Sequence, residues 1–174
     1  TGVDVDPDTI GYATRTYPDQ SFHCASATAI AHALRGPFDA IVMFNSFYCF
    51  PDQARVLTQC RALSHPATDL SVFEYSTPTW NERARDFCAR YARSTWKPVV
   101  VDEVERRFLD TGWRLTSHDD LSSENRAWYR ELLSRIDDRR ERIVHEAGAS
   151  WHRYAQRRYA ELLRAIDEGA IGGG

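Results

Sequence analysis

The run Asp39-Ala40-Ile41-Val42-Met43-Phe44 is apolar almost without interruption. A strand with one wet face alternates apolar and polar residues, whereas an unbroken run of this length suits a central parallel strand covered on both faces. Parallel strands can be joined only by crossover connections, usually helices, so this segment constrains the chain to an α/β architecture.

The rest of the sequence supplies the crossovers. Gly2 to Val5 reads as a strand, and Asp6 followed by Pro7 reads as a helix cap with proline in the first turn. Ile10, Ala13 and Tyr17 then fall at helical spacing. Phe22 to Ala25 is a second short strand, followed by a helix carrying Ile30 and Leu34. Pro51-Asp52 opens a helix with Val56, Cys60 and Leu63 inward, and Asp69 to Tyr75 returns as a strand. Thr77-Pro78 reads as the cap of a helix with Trp80, Ala84, Phe87 and Cys88 on one stripe. Asp102 with Glu105 resembles a capping box, its helix stops at Gly112, and Trp113 to Ser117 reads as the next strand.

From Ser122 to Ile166 the rhythm changes to two longer amphipathic helices divided near Gly148. One stripe carries Trp128, Leu132, Ile136 and Ile143, and the other Trp151, Tyr154, Tyr159, Leu162 and Ile166. The expected organisation is a doubly wound α/β core over residues 1–121 and a helical hairpin lid over 122–168. Residues 169–174 begin a last strand, led by Ile171.

Composition excludes several classes. A length of 174 residues suits one domain, and 43% hydrophobic with 27% charged residues is an ordinary globule rather than a disordered chain. The net charge of -3 disfavours a nucleic-acid partner. No apolar run reaches the roughly 20 residues of a membrane span, and no signal-peptide pattern opens the chain, so a cytoplasmic protein is expected. Cys24, Cys49, Cys60 and Cys88 are widely spaced and read as free thiols in a reducing compartment. His118-Asp119-Asp120 has no partner cluster, and no metal site is assigned.

Asp4 is the most informative polar residue. A carboxylate at the end of an α/β strand can accept both hydroxyls of a nucleotide ribose, or it can serve only as a local cap. Tyr48, Glu74 and Tyr75 follow the C-terminal ends of the two strands beyond it, where open α/β sheets bind ligands. Trp128, Tyr129, Trp151 and Tyr154 could line an aromatic pocket for a cationic amine, or could simply pack the two helices together. His145 and His152 flank the Gly148 break and could reach a substrate as acid or base, or could simply stand exposed at the helix ends.

The succession Thr1-Gly2-Val3-Asp4-Val5-Asp6-Pro7, Ser26-Ala27-Thr28 and Phe38-Asp39-Ala40-Ile41-Val42-Met43-Phe44-Asn45-Ser46 resembles strands two, three and four of class I S-adenosylmethionine-dependent methyltransferases. The Gly-containing tail, Asp167 to Gly174, resembles the turn after the helical insertion in the branch that includes sarcosine and dimethylglycine methyltransferases. The resemblance implies a Rossmann-like sheet, S-adenosylmethionine as cofactor and a small-molecule methyl acceptor, in secondary or specialised metabolism. It also implies site residues: Asp4 on the ribose, Val5 against the adenine, Ser26 and Ala27 at the adenine edge, and Phe44 and Asn45 near the methionyl group and acceptor. Glu74, Tyr48 and Tyr75 are then the candidate catalytic groups. Trp128, Tyr129, Trp151, Tyr154 and His145 are the candidate acceptor contacts.

Two features depart from the family. Ser26 stands where many members carry an acid, and no Gly-rich turn after a first strand is present. The natural protein is therefore expected to supply a first strand and that turn ahead of Thr1. A nicotinamide-dependent oxidoreductase is the alternative enzyme, since an acid after a second strand also suits the ribose of NAD, yet Lys97 lacks a Tyr at helical spacing. A non-catalytic methyltransferase-like domain, forming a homodimer or binding a partner through the helices after Ser122, is the third reading.

Overall fold

The computed structural model describes residues 1–91 and 97–174, with only the backbone of Tyr91. Each expected crossover is present. Strand β1 (Gly2–Asp4) leads to α1 (Pro7–Thr16), whose Asp6 cap accepts from the amides of Asp8 and Thr9. Strand β2 (Phe22–Cys24) pairs parallel to β1, and a 3-10 turn (Ala27–Ala29) and the short α2 (Ile30–Ala33) follow. Strand β3 (Phe38–Phe44) leads through a 3-10 turn (Phe47–Cys49) to α3 (Gln53–Ala62). Its parallel partner β4 (Ser64–Phe73) is joined through Glu74 to β5 (Tyr75–Thr77).

The second half begins with α4 (Glu82–Tyr91), β6 (Val99–Val100) and α5 (Val101–Leu109). Three helices follow, α6 (Ser122–Asp138), α7 (Arg140–Ala147) and α8 (Ala149–Asp167), and then β7 (Gly172–Gly173). The expected hairpin thus has a break at Arg139 as well as its turn at Gly148, where φ is +89°. Strand β5 pairs parallel to β6 and antiparallel to β7, so Ile171 does lead into a strand. Gly172 and Gly173 are required by close approach: a Cβ at either would collide with Ser122 or Asn125 of α6.

The core has two parts. Met43, Phe47, Val56, Leu57, Cys60 and Trp113 form one, between β3 and α3. Phe87, Cys88, Tyr129, Leu162, Ala165, Ile166, Ala170 and Ile171 form the other, where α4, α6 and α8 meet the β7 turn. Burial pushes the Cys60 and Cys88 thiols up to about 11, so both behave as small apolar side chains.

Several expectations are corrected. The apolar run of β3 is covered on one face only: Ile41 and Met43 face the core, while Ala40, Val42 and Phe44 are exposed. Trp113–Ser117 forms no strand, because no neighbouring strand lies close enough to build a ladder. A groove separates it from Asp69–Phe73, although the Trp113 indole is anchored by donating to the Leu57 carbonyl at 3.0 Å. Helix α4 starts at Glu82, not at Pro78. Thr77 is held in β5 with its hydroxyl donating to the Thr79 carbonyl, and Asn81 receives the Ala84 amide as the cap. Helix α5 starts before Asp102 and has no side-chain cap, so Asp102 lies in the first turn, where a carboxylate still favours the helix dipole.

The stripes expected on the helices after Ser122 are displaced in part: Ile136, Leu162 and Ile166 are buried as expected, while Trp128, Trp151 and Tyr154 are exposed. On α6 the buried residues are Tyr129 and Ile136, with Trp128 at the stripe's wet edge; on α8 they are His152, Ala155, Leu162, Ala165 and Ile166. Helices in close contact bury small residues where their backbones approach, so Ala155 and Ala165 face inward while Trp151 and Tyr154 turn outward.

Candidate functional site

The C-terminal ends of β2 and β3 open on the same side of the molecule. Arg55, in the first turn of the helix that leaves β3, donates through Nε to the Thr28 carbonyl just past β2 at 2.8 Å. Strand ends gathered on one side form the place where open α/β sheets take ligands.

One half of this edge lies at β1 and β2. Parallel pairing sets Asp4 opposite Cys24, and the Ala25 amide donates to the Asp4 carbonyl at 2.9 Å. The Cys24 thiol approaches the Val5 carbonyl at 3.5 Å. The chain around Asp4 and Val5 thus lies against Cys24 and Ala25, which lead directly into Ser26 and Ala27. The Asp4 carboxylate is exposed, with Oδ1 receiving the Asp6 amide at 2.9 Å and Oδ2 in no hydrogen bond among the described residues. Val5 is 70% exposed, so an apolar surface lies beside a carboxylate with one oxygen to offer. The Ser26 hydroxyl is already engaged, bonded to the Thr28 hydroxyl at 2.9 Å and capping the 3-10 turn.

The other half is built at β3 and β4. Phe44 stacks on Phe73 of the neighbouring strand, with centroids 4.6 Å apart and planes 11° from parallel. The next residue, Asn45, has φ +47°, an uncommon conformation for a side chain that is not glycine, and its amide donates to the Phe73 carbonyl at 2.9 Å. This turn ends the strand and swings the chain across to Tyr48. Such unusual backbone is a feature of sites rather than of ordinary packing.

Below that turn lies Glu74, 1% exposed. Its Oε2 receives the Tyr48 amide at 3.0 Å and its Oε1 the Tyr75 amide at 2.7 Å. Burial pushes its carboxyl up to about 6, against the backbone N–H groups of Tyr48, Tyr75, Phe47 and Ser46, which favour the ionised form. The Tyr48 and Tyr75 rings meet edge to face at 5.4 Å, and the Tyr75 and Tyr129 hydroxyls are hydrogen-bonded to each other. Burial raises all three phenols above their ordinary range. They stay neutral at physiological pH.

Tyr48, Glu74, Tyr75 and Tyr129 are thus assembled in one cluster. Tyr129 alone of the lid residues named from sequence joins it, with Tyr159 tilted against its ring at 6.0 Å. Trp128 touches the cluster's edge, 4.9 Å from the Tyr129 ring, and is 51% exposed. Trp151, Tyr154 and His145 are exposed on α7 and α8 and line no common pocket with Glu74. The reason is the displaced stripe described above. His152, the other histidine flanking Gly148, is not exposed at the helix end: it is 3% exposed with Nε2 unpartnered among the described residues. Its signal was positional: residues 152, 155, 159, 162 and 166 follow helical spacing more strictly than the larger aromatic residues do. Among the described residues no cluster of His, Cys, Asp and Glu could hold a metal, and no helix is long and apolar enough to cross a membrane.

A family model described as a methyltransferase domain matches residues 1–70. Comparison with curated protein sequences finds no match. Among solved structures, the chain superimposes on the cyclopropane synthase MmaA2 from Mycobacterium tuberculosis with TM-score 0.80 at 13% identity, over 99% of this chain and 66% of that one. A putative sarcosine dimethylglycine methyltransferase from Galdieria sulphuraria gives TM-score 0.84 at 9% identity, over 98% of this chain and 65% of that one. The Haemonchus contortus phosphoethanolamine N-methyltransferase 2, solved with phosphomonomethylethanolamine and S-adenosylhomocysteine, gives 0.82 at 13%, over 99% and 41%. The chain therefore spans less than two thirds of the length of each of these proteins, and at these identities the likeness establishes the fold.

Proposed function

From a chain whose fold is that of the class I methyltransferases and whose residues 1–70 carry a methyltransferase domain, we propose an S-adenosylmethionine-dependent methyltransferase acting on a small-molecule acceptor. The observation that carries this reading is the pairing of β1 with β2, which sets a carboxylate with one available oxygen beside exposed Val5 and the Ser26-Ala27 turn. These residues fit an adenosyl group: a ribose diol needs an acceptor, and an adenine ring needs an apolar bed with polar groups at its rim.

S-adenosylmethionine, when bound, supplies a methyl group already activated on a sulfonium. The task left to the protein is alignment and the exclusion of water. Asp4 would fix the ribose, Val5 and Ala27 the base, and the Phe44-Asn45 turn would face the reacting end. Because the Ser26 hydroxyl caps its own turn, its contact to adenine would be shared with that cap. Tyr48 and Tyr75 are neutral phenols at the mouth and would orient an acceptor by hydrogen bonding rather than by taking its proton. Glu74 as it stands has each oxygen on a backbone amide and is closed to an acceptor. A soluble cytoplasmic setting and a role in biosynthesis accord with this reading.

Calorimetric titration of the full-length protein with adenosylhomocysteine and with NAD tests it. Binding of the first and not the second is expected, and replacing Asp4 by Ala should weaken it by about 1–3 kcal/mol, the size of lost charged hydrogen bonds. Exclusive binding of NAD overturns the proposal in favour of a nicotinamide enzyme. No effect of Asp4→Ala removes the ribose assignment and favours a non-catalytic domain.

A further inference from the structure

Glu74 is buried where a carboxylate is expensive. No Lys, Arg or His ion pair to it is found among the described residues, so its desolvation is offset only by backbone N–H groups. Those groups do not belong to one element. The Tyr75 amide is its own neighbour on β5, but the Tyr48 amide belongs to the turn after β3, 26 residues away in sequence. Glu74 is itself fixed on its backbone, donating to the Gly174 carbonyl at 2.8 Å and accepting from the Gly174 amide at 3.1 Å. The carboxylate is therefore a rigid post, and the turn carrying Asn45, Ser46, Phe47 and Tyr48 is tied to it. At the head of the same turn Asn45 takes a left-handed backbone, which Asn adopts more readily than other side-chain-bearing residues, and its amide is held by the Phe73 carbonyl. Glu74 holds the residues that follow it, through the amide of Tyr48 and the backbone of Ser46 and Phe47.

We propose that Glu74 is a positioning residue whose carboxylate gathers the amides of the Asn45–Tyr48 turn and of Tyr75, holding the turn in the shape in which it meets cofactor and acceptor. The last clause rests on the methyltransferase reading; the tethering itself does not. Glu74 touches no reacting atom and acts through the backbone of Phe44 to Tyr48. A Gln in its place can accept through one oxygen, but its amide nitrogen then faces a backbone donor and must release it. An Asp keeps the charge yet falls one methylene short of Tyr48.

The closed turn also carries a proton signature. Opening it to water returns Glu74 toward its ordinary value near 4.5 from about 6, so the closed form binds more protons and is favoured as pH falls through that window. The phenols of Tyr48 and Tyr75 face the group and are neutral throughout, and Arg158 of α8 acts on Tyr75 electrostatically. His118 stands beside Gly174, so the comparison is made against a Glu74 variant rather than across pH alone.

Amide hydrogen exchange on the ligand-free protein tests the tether. In Glu74→Gln the amide of Tyr48 or Tyr75 should exchange at least 10-fold faster, while α8 amides around Ala155 and Leu162 are unchanged. In Glu74→Asp the Tyr48 amide alone should be released. Wild-type protection at these two amides should rise between pH 7.5 and 5, and this pH dependence should vanish in Glu74→Gln. Unchanged exchange at both amides, or an equal acceleration throughout the chain, overturns the proposal. Adenosylhomocysteine affinity is measured on the same variants and on Asp4→Ala, each in the full-length protein. Loss of protection with no binding in any form refutes the methyltransferase reading and leaves the tether standing.

Discussion

The two halves of the candidate site are built on opposite principles. At β1 and β2 the polar residues are exposed and satisfied locally, with Asp6 capping its own helix and Asp4 receiving an amide two residues away. At β3 to β5 the corresponding groups are buried and satisfied across long stretches of sequence: Glu74 to Tyr48, Tyr75 to Tyr129, Trp113 to Leu57. The first half presents functional groups at little cost in stability. The second derives its shape from packing, so its chemistry and its stability cannot be separated.

That contrast can be tested by substitution, beginning with the core beneath the second half. Leu57 is 2% exposed, and Leu57→Ala should lower the unfolding free energy by about 2–5 kcal/mol in a denaturant titration. A loss below about 1 kcal/mol would mean that the β3–α3 core is loosely packed and the contrast is false. Tyr129→Phe removes the hydrogen bond between the Tyr129 and Tyr75 hydroxyls and should cost about 0.5–1.5 kcal/mol. An unchanged midpoint would show the hydroxyl pair to be dispensable.

The Glu74 carboxyl gives a smaller and oppositely signed effect. Its value is raised in the folded protein from the ordinary 4.5 to about 6, so its contribution to stability is fully present below about 4.5 and lost as pH rises through 6. The difference in unfolding free energy between wild type and Glu74→Gln should therefore shift in favour of wild type on acidification from pH 7 to 5. A flat difference would place Glu74 in water. Smallest of all, Val42→Ser on the exposed face of β3 should change stability by no more than about 0.5 kcal/mol. A cost approaching that of Leu57→Ala would show that this face is covered in solution.

Much of the fold was legible because its signals are local. Asp6 and Pro7 announce α1 through cap chemistry, and Asp52 does the same for α3, so each helix starts where the residues say. The errors fall where a neighbour decides. Thr77-Pro78 has the chemistry of a helix start, but β6 and β7 claim Thr77 and Ser76 for the sheet, and Asn81 caps the helix instead. Trp113–Ser117 has the composition of a strand and lacks a partner to pair with.

The site divides in the same way. Asp4 could be singled out from its place at the end of a strand, whereas Val5, Ser26 and Ala27 were named only through the resemblance to the methyltransferases. Glu74 could be named but not understood, since nothing in its neighbourhood tells that the Tyr48 amide will reach it. Of the aromatic residues named as acceptor contacts only Tyr129 joined the cluster, with Tyr159 of the α8 stripe packed against it. Size and helical spacing restrict which residues can face inward, yet the closest approach of two helices selects among them, and that approach favours Ala155 over Trp151.

By itself the sequence determined most of the alternation of strand and helix, the caps of α1 and α3 and the carboxylate at the end of β1, all consequences of period and near-neighbour hydrogen bonding. Only the tertiary structure decided which face of β3 is covered, which lid residues enter the core and what the Glu74 carboxylate holds. These depend on groups far apart in the chain, and burial of a charge or a ring is fixed by what packs against it rather than by what precedes it.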